Sequence, residues 1–299
     1  MNPELVFWNP YTSGYEKEKI YGEKWLRFSY ESYLGKIGLW AMVQRKWFSQ
    51  WYGRKMDTPA SREKIFPFIQ NYNLNQGEFL QSPDSFNSFN EFFYRKLKPA
   101  ARPVDTCENS LVFPADGRHL LIPDLSKVKQ IYTKGQTFDL KQLLGCATLA
   151  NKFEDGSMLI SRLCPVDYHR FHFPVSGHLH PTRLIKGALF SVNPIALCQK
   201  ISIFWENKRY VSILENQHIG NVAQLLIGAT CVGSVHLTSK ENSSVQKGEE
   251  YGYFSFGGSC VITLYSRNKV DFREDLKEQS GKGYESYFKM GESMGQFKL

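Results

Sequence analysis

After residue 100 the chain breaks into short apolar runs separated by turn residues, and that rhythm constrains the fold more than any other feature. Leu111–Phe113 runs into Pro-Ala-Asp-Gly, and Gly156–Leu163 runs into Cys-Pro-Val-Asp. Arg209–Glu215, Val222–Ile227, Gly233–Leu237, Gly252–Phe256 and Val261–Leu264 repeat the pattern. Each run is short, rich in β-branched and aromatic residues, and bounded by turn formers, so each reads as a strand. Lys247-Gly248-Glu249 reads as a hairpin loop, and the polar tail 266–299 reads as surface.

The first hundred residues have another texture. Trp25, Phe28, Tyr33, Ile37, Trp40, Val43, Trp47 and Trp51 recur at helical intervals across 16–55. Lys36, Arg45, Lys46, Arg54 and Lys55 lie between or just beyond them. Aromatics and cations together suit a helix lying in a lipid interface. The same spacing also suits an ordinary amphipathic helix packed on its own domain. A second helical region is expected over 60–98, capped at Asp57-Thr58-Pro59. Phe86, Phe89, Phe92 and Phe93 fall at helical spacing there, and Lys96, Leu97 and Lys98 close it. Pro99 and Pro103 bracket a linker. The expected fold is α+β: a helical, membrane-associating N-terminal region over 1–100, then a β-rich catalytic body over 101–299.

Composition narrows the partners. A formal net charge of +8 favours anionic surfaces, either nucleic acid or lipid headgroups. No zinc-finger, helix-turn-helix or RNA-binding signature supports nucleic acid. The six cysteines show no C-x-x-C pair, so neither a structural zinc site nor a redox motif is expected, and free thiols in a reducing compartment are. The N-terminus lacks a basic stretch followed by an apolar run, and no segment has the run of apolar residues that a spanning helix needs. The expectation is a protein that is soluble or sits on a membrane face.

Three places carry chemistry. Asp116 lies in Pro114-Ala115-Asp116-Gly117, which alone is a common turn. Asp167-Tyr168-His169-Arg170-Phe171-His172 gathers two histidines, an arginine, a tyrosine and an aspartate into six residues. Gly257-Gly258-Ser259-Cys260 leads into Val261–Leu264, and two glycines there free the backbone for an unusual conformation. Asp116, one of the two histidines and Ser259 form an Asp–His–Ser set: the Asp fixes the tautomer, the His accepts a proton, and the Ser attacks. The attacked group can be the chain's own Gly258 carbonyl. A rival reading makes Asp116, His169 and His172 the ligands of a metal-dependent hydrolase. A third makes the chain a non-enzymatic lipid-binding module with a basic helical arm.

These pieces resemble phosphatidylserine decarboxylases, the pyruvoyl-dependent, prokaryotic-type family. The resemblance runs from about Phe86 through Ser259. It is carried by Phe89-Asn90-Glu91-Phe92-Phe93 with Arg95, Leu97 and Arg102-Pro103, by the Asp116 turn, and by Tyr168-His169-Arg170-Phe171-His172 with Pro174 and Gly177. Leu189–Asn193, Ile227–Thr230 with Val232-Gly233-Ser234, and Lys247–Phe254 follow in the family order. One departure stands out. The family pattern at the processing site is Leu-Gly-Ser-Thr, whereas this chain has Gly257-Gly258-Ser259-Cys260; the Gly-Ser step itself is kept, and Cys260 is read as a packing residue.

The resemblance implies a zymogen that cuts itself between Gly258 and Ser259 into chains 1–258 and 259–299. Ser259 then becomes a covalent pyruvoyl group, which forms a Schiff base with phosphatidylserine and releases carbon dioxide and phosphatidylethanolamine. The family motif assigns His172, with Asp116, to processing and His169 to decarboxylation, and Asn193 is expected as a polar contact to the substrate. The resemblance implies no metal. It further implies a homodimer of processed units; the missing targeting signals leave a peripheral position on the cytoplasmic face of a bacterial membrane as the expected location, and the basic charge an anionic lipid surface as the partner.

Overall fold

The computed structural model describes residues 5–18, 23–32, 35, 46–127, 138–229, 235–257 and 259–297. Among these residues the fold is α+β with a β-rich body. Its centre is an eleven-stranded sheet, antiparallel except at one pairing. In spatial order the strands are 243–245, 177–179, 209–216, 220–228, 259–265, 157–163, 117–122, 285–288, 6–9 and 14–17, with 183–185 also beside 209–216. Two three-stranded sheets accompany it: 235–237, 250–254 and 170–172 form one, and 270–272, 293–297 and 110–112 the other.

The long strands form where the sequence supplies β-branched residues on both faces, because both faces of the sheet are covered. Along Ser259–Tyr265, Cys260, Ile262 and Leu264 enter one apolar cluster with Ile160, Leu197 and Phe204. Val261 and Tyr265 enter the other, with Phe171, Phe254 and Phe288. Side chains alternate along a strand, so Ser259 points toward the second cluster. A third cluster gathers Phe68, Phe79, Phe86, Phe89, Phe92 and Phe93 around Phe256.

Several expectations change. The first hundred residues do not open as a helix: Val6–Asn9 and Gly14–Lys17 form an antiparallel hairpin. Val6–Asn9 also pairs in parallel with Glu285–Phe288, so the segment joins the main sheet. Within 16–55 the described helices are Glu23–Glu31 and Lys46–Asp57. Tyr33, Ile37, Trp40 and Val43 lie outside the described residues, as do the side chains of Trp25 and Trp47. Phe28 and Trp51 are exposed, while Tyr30 is buried and its hydroxyl accepts from the Ser191 N–H. Among the described residues the membrane-associating reading keeps two exposed aromatics, Phe28 and Trp51.

The long helix expected over 60–98 is divided into a 3-10 turn at Pro59–Lys64, helix Ile65–Tyr72, two further 3-10 turns, and helix Phe89–Phe93. Asn73 in the left-handed region stops one helix, and Ser88 caps the next through its side-chain bond to the Glu91 N–H. Lys247-Gly248-Glu249 turns the chain but closes no hairpin, because Ser243–Val245 and Glu250–Phe254 belong to different sheets. The tail is not a surface appendage: Leu276, Phe288, Met294 and Phe297 are buried, and it supplies three strands and a helix.

Candidate active site

Ser259 is the first residue of a central strand. It stands opposite Gly228 on one side and Leu163 on the other. It is fully buried, and its hydroxyl has no hydrogen-bond partner. A buried hydroxyl without a partner is costly to the fold, so its retention points to use rather than to packing. Cys260 points to the opposite face and into the core, where burial pushes its thiol pKa up and keeps it protonated.

Between Phe254 and Ser259 the chain passes from the small sheet to the large one. Gly257 makes this passage with φ 134, a backbone region that side chains rarely adopt. The approach is pinned from both sides: the Phe256 N–H donates to Asn90 Oδ1 at 2.8 Å, and the Phe256 ring packs against Phe89 and Phe93. Gly258 lies outside the described residues.

The two histidines sit on and just before the strand Arg170–His172, which pairs with Glu250–Phe254. The Phe254 N–H donates to the His169 carbonyl at 2.9 Å, extending that pairing toward Gly257. His169 places Nδ1 3.0 Å from the Asp167 carbonyl, and His172 places Nδ1 3.0 Å from the Gly248 carbonyl. A carbonyl only accepts, so each ring carries its proton on Nδ1 and offers Nε2 as a base. Both Nε2 atoms are buried and lack a partner. Burial pulls the His169 pKa down to about 3, reinforced by Arg95 and opposed by the carbonyls of Asp167 and Gly257. Burial also lowers His172, opposed by the Gly248 carbonyl, Glu250 and Asp116. Both rings are therefore neutral at physiological pH.

Asp116 is buried beside this pair, but it does not hydrogen-bond to His172. Its carboxylate accepts from Arg102 Nε at 2.8 and 2.9 Å, from Arg102 Nη2 at 2.5 Å and from the Met290 N–H at 2.8 Å. The tautomer-fixing bond expected from Asp116 comes instead from the Gly248 carbonyl. Asp116 still acts on His172 through its charge, which raises the basicity of that ring. The Asp116 turn and the histidine strand are joined directly by the backbone, since the His172 N–H donates to the Pro114 carbonyl at 2.7 Å. Gln224 holds the other side, donating to the His172 carbonyl at 3.0 Å.

Asn193 caps helix Pro194–Gln199, its Oδ1 accepting from the Ile195 N–H, and it makes no hydrogen bond to Ser259 or either histidine. Among the described residues no group of His, Cys, Asp and Glu is arranged to hold a metal ion, and the Asp116 oxygens are already engaged by Arg102. Sequence reasoning gave no role at the site to Arg102 and Gly248, which it named only within the family motifs, and did not name Gln224. Arg102 alone carried a signal, an arginine inside an otherwise apolar and proline-rich linker.

Residues 89–296 match the family model for phosphatidylserine decarboxylase. The chain is 43% identical to the phosphatidylserine decarboxylase proenzyme of Fusobacterium nucleatum, over 96% of this chain and 96% of that protein. It is 41% identical to the proenzyme of Desulfitobacterium hafniense and 42% identical to that of Clostridium kluyveri, each over 97% of this chain and 98% of the relative. The matched span contains Asp116, both histidines and Ser259, and the chain belongs to the phosphatidylserine decarboxylase family.

Proposed function

We propose that this chain converts phosphatidylserine to phosphatidylethanolamine after cutting itself between Gly258 and Ser259. The observation that carries the reading is the set of three buried, partnerless atoms: Ser259 Oγ, His169 Nε2 and His172 Nε2. Other buried atoms, Thr263 Oγ1 and Tyr265 OH among them, also lack partners, but these three belong to a nucleophile and two neutral bases, the groups that proton transfer needs.

His172, its basicity supported by Asp116, takes the proton of Ser259. The Ser259 oxygen attacks the Gly258 carbonyl carbon, and the Gly258–Ser259 amide becomes an ester. Loss of the Cα proton expels the Gly258 carboxylate and leaves a dehydroalanine at position 259. Hydrolysis of that residue releases ammonia and leaves a pyruvoyl group. A pyruvoyl group held at position 259 would supply a carbonyl able to condense with the substrate amine and to act as an electron sink for decarboxylation. His169, beside Gly257, handles the proton that replaces the lost carboxylate. Asn193 remains an additional substrate contact in this reading, through the amide nitrogen that its capping role leaves over.

The substrate is a membrane lipid. No helix among the described residues is long and apolar enough to cross a membrane. Contact with an anionic lipid surface is supported by the net charge of +8, the exposed Phe28 and Trp51, and Lys55 lying over the Trp51 ring. The reading extends to a homodimer of processed units, peripheral on the cytoplasmic face of a bacterial membrane.

Intact-mass measurement of the purified protein tests the proposal. It requires two chains, 1–258 and 259–299, the smaller lighter by one ammonia than its unmodified sequence. An active preparation consisting only of uncut chain would overturn it.

A further inference from the structure

Of the five arginines buried in the described residues, four hold a carboxylate or a set of backbone carbonyls, although Arg118 Nε, like Arg95 Nε, has no partner. Arg118 pairs with Asp167, Arg162 with Glu18 and Glu285, and Arg170 with Glu250. Arg209 donates to four backbone carbonyls. Arg95 is the exception. It is 5% exposed, forms no ion pair, and makes one long hydrogen bond, Nη1 to the Phe92 carbonyl at 3.4 Å. Its Nε has no partner. The guanidinium lies 4.9 Å from the centres of both the Phe79 and Phe92 rings, which fix its position but accept no N–H in the plane of the fork. The two carboxylates whose fields reach it, Asp116 and Asp167, are held by Arg102 and Arg118.

A guanidinium with five donors is rarely left this way, since burial of an uncompensated cation is costly. Burial pulls its pKa down to about 10, opposed by Asp116, so it stays charged at neutral pH. Its location gives the charge a use. Arg95 follows the helix Phe89–Phe93, whose Phe93 ring lies 3.9 Å from the His169 ring, and the charge of Arg95 is felt at His169. Arg95 therefore lies close to the histidine site, and its unmatched charge calls for an anion.

The substrate class offers two anions, a carboxylate and a phosphodiester. A guanidinium on the carboxylate would stabilise the charge that must be discharged when carbon dioxide leaves, and would slow that step. On the phosphodiester, whose charge persists from substrate to product, it binds without opposing the chemistry. Resting on the phosphatidylserine reading above, we propose that Arg95 binds the phosphodiester of the substrate and so selects a phospholipid over a free amino acid. The planar fork of arginine matches two phosphate oxygens.

The test uses the processed enzyme, a soluble short-chain phosphatidylserine as substrate and a short-chain phosphatidylmethanol as competitor. The competitor carries the phosphodiester without the amine or the carboxylate. It is expected to inhibit the parent enzyme competitively. Arg95→Met is expected to raise KM about 10- to 100-fold with kcat within about threefold, and to lose sensitivity to the competitor. Arg95→Lys is expected to fall between the two. An unchanged KM, a fall in kcat at constant KM, or equal inhibition of parent and variant would overturn the proposal. Where Arg95→Met does not fold, the parent enzyme decides alone: a phosphatidylmethanol that fails to compete overturns the proposal without any variant. Failure of the underlying reading looks different, because the parent enzyme would then form no phosphatidylethanolamine at all.

Discussion

Burying neutral histidines has a consequence for stability that can be worked out in advance. In an unfolded chain a histidine takes up its proton near pH 6.5. In the fold, His169 and His119 are both pulled down to about pH 3, in each case chiefly by burial. Between those values the unfolded state binds two protons that the folded state refuses, so stability falls as pH falls. The contribution is intact above pH 6.5 and drains away below it. From pH 6 to pH 5 each histidine removes about 1.2 kcal/mol, and the pair roughly 2.4 kcal/mol. His172 and His236 are also lowered and add in the same direction. Among the carboxylates, burial raises Asp167 against the pull of Arg118, so it acts in the opposite direction and can only lessen the fall. Glu18, which Arg162 holds at about 2 against the effect of burial, contributes only below pH 4.5. The assay is urea unfolding of the uncut Ser259→Ala chain at pH 7, 6 and 5. With a slope of about 3 kcal/mol per M, the midpoint should drop by roughly 0.8 M between pH 6 and pH 5. His119→Gln, away from the serine, should lessen the pH dependence by about half. A midpoint that moves by less than about 0.2 M would refute the reasoning.

The remaining predictions separate the residues of the site. His172→Ala should leave the chain uncut on a denaturing gel, whereas His169→Ala should still yield two chains and lose at least about 100-fold in decarboxylation; the opposite pattern would exchange the two roles. Gly257→Leu, which restores the family residue, should destabilise the uncut Ser259→Ala chain by about 1–3 kcal/mol, because φ 134 is nearly closed to leucine. An unchanged urea midpoint would mean that the segment relaxes into another conformation at no cost.

Much of the body was legible because long central strands announce themselves. Ser157–Leu163, Arg209–Asn216, Gly220–Gly228 and Ser259–Tyr265 are buried over most of their length, so their sequences are dense in Val, Ile and Leu. The tail was not legible. Its buried positions are filled singly, by Leu276, Phe288 and Met294 among charged neighbours, and its strands find partners far away in sequence. Periodicity over a short window carries no trace of such pairing. The N-terminal hairpin was missed for the same reason, since Val6–Asn9 is completed by Glu285–Phe288. At the site, Ser259, His169 and His172 could be named because their side chains carry chemistry. What sets the two histidine tautomers is a pair of backbone carbonyls, Asp167 and Gly248, and any residue type could supply those.

The strand that begins at Ser259 is hydrogen-bonded along its length to neighbours on both sides, and further along the same segment Glu285 shares the buried Arg162 with Glu18 near the other end of the chain. A cut before Ser259 severs one peptide bond and none of these attachments. A reactive group made at that position is consequently not exchangeable. It cannot be washed out, replenished or passed to another molecule without dismantling the sheet. If it is reduced or wrongly aminated during turnover, the molecule carrying it is spent, and activity returns only with new synthesis. On the proposed mechanism, the enzyme's working life would be set by the fidelity of its own proton transfers, not by any supply of cofactor.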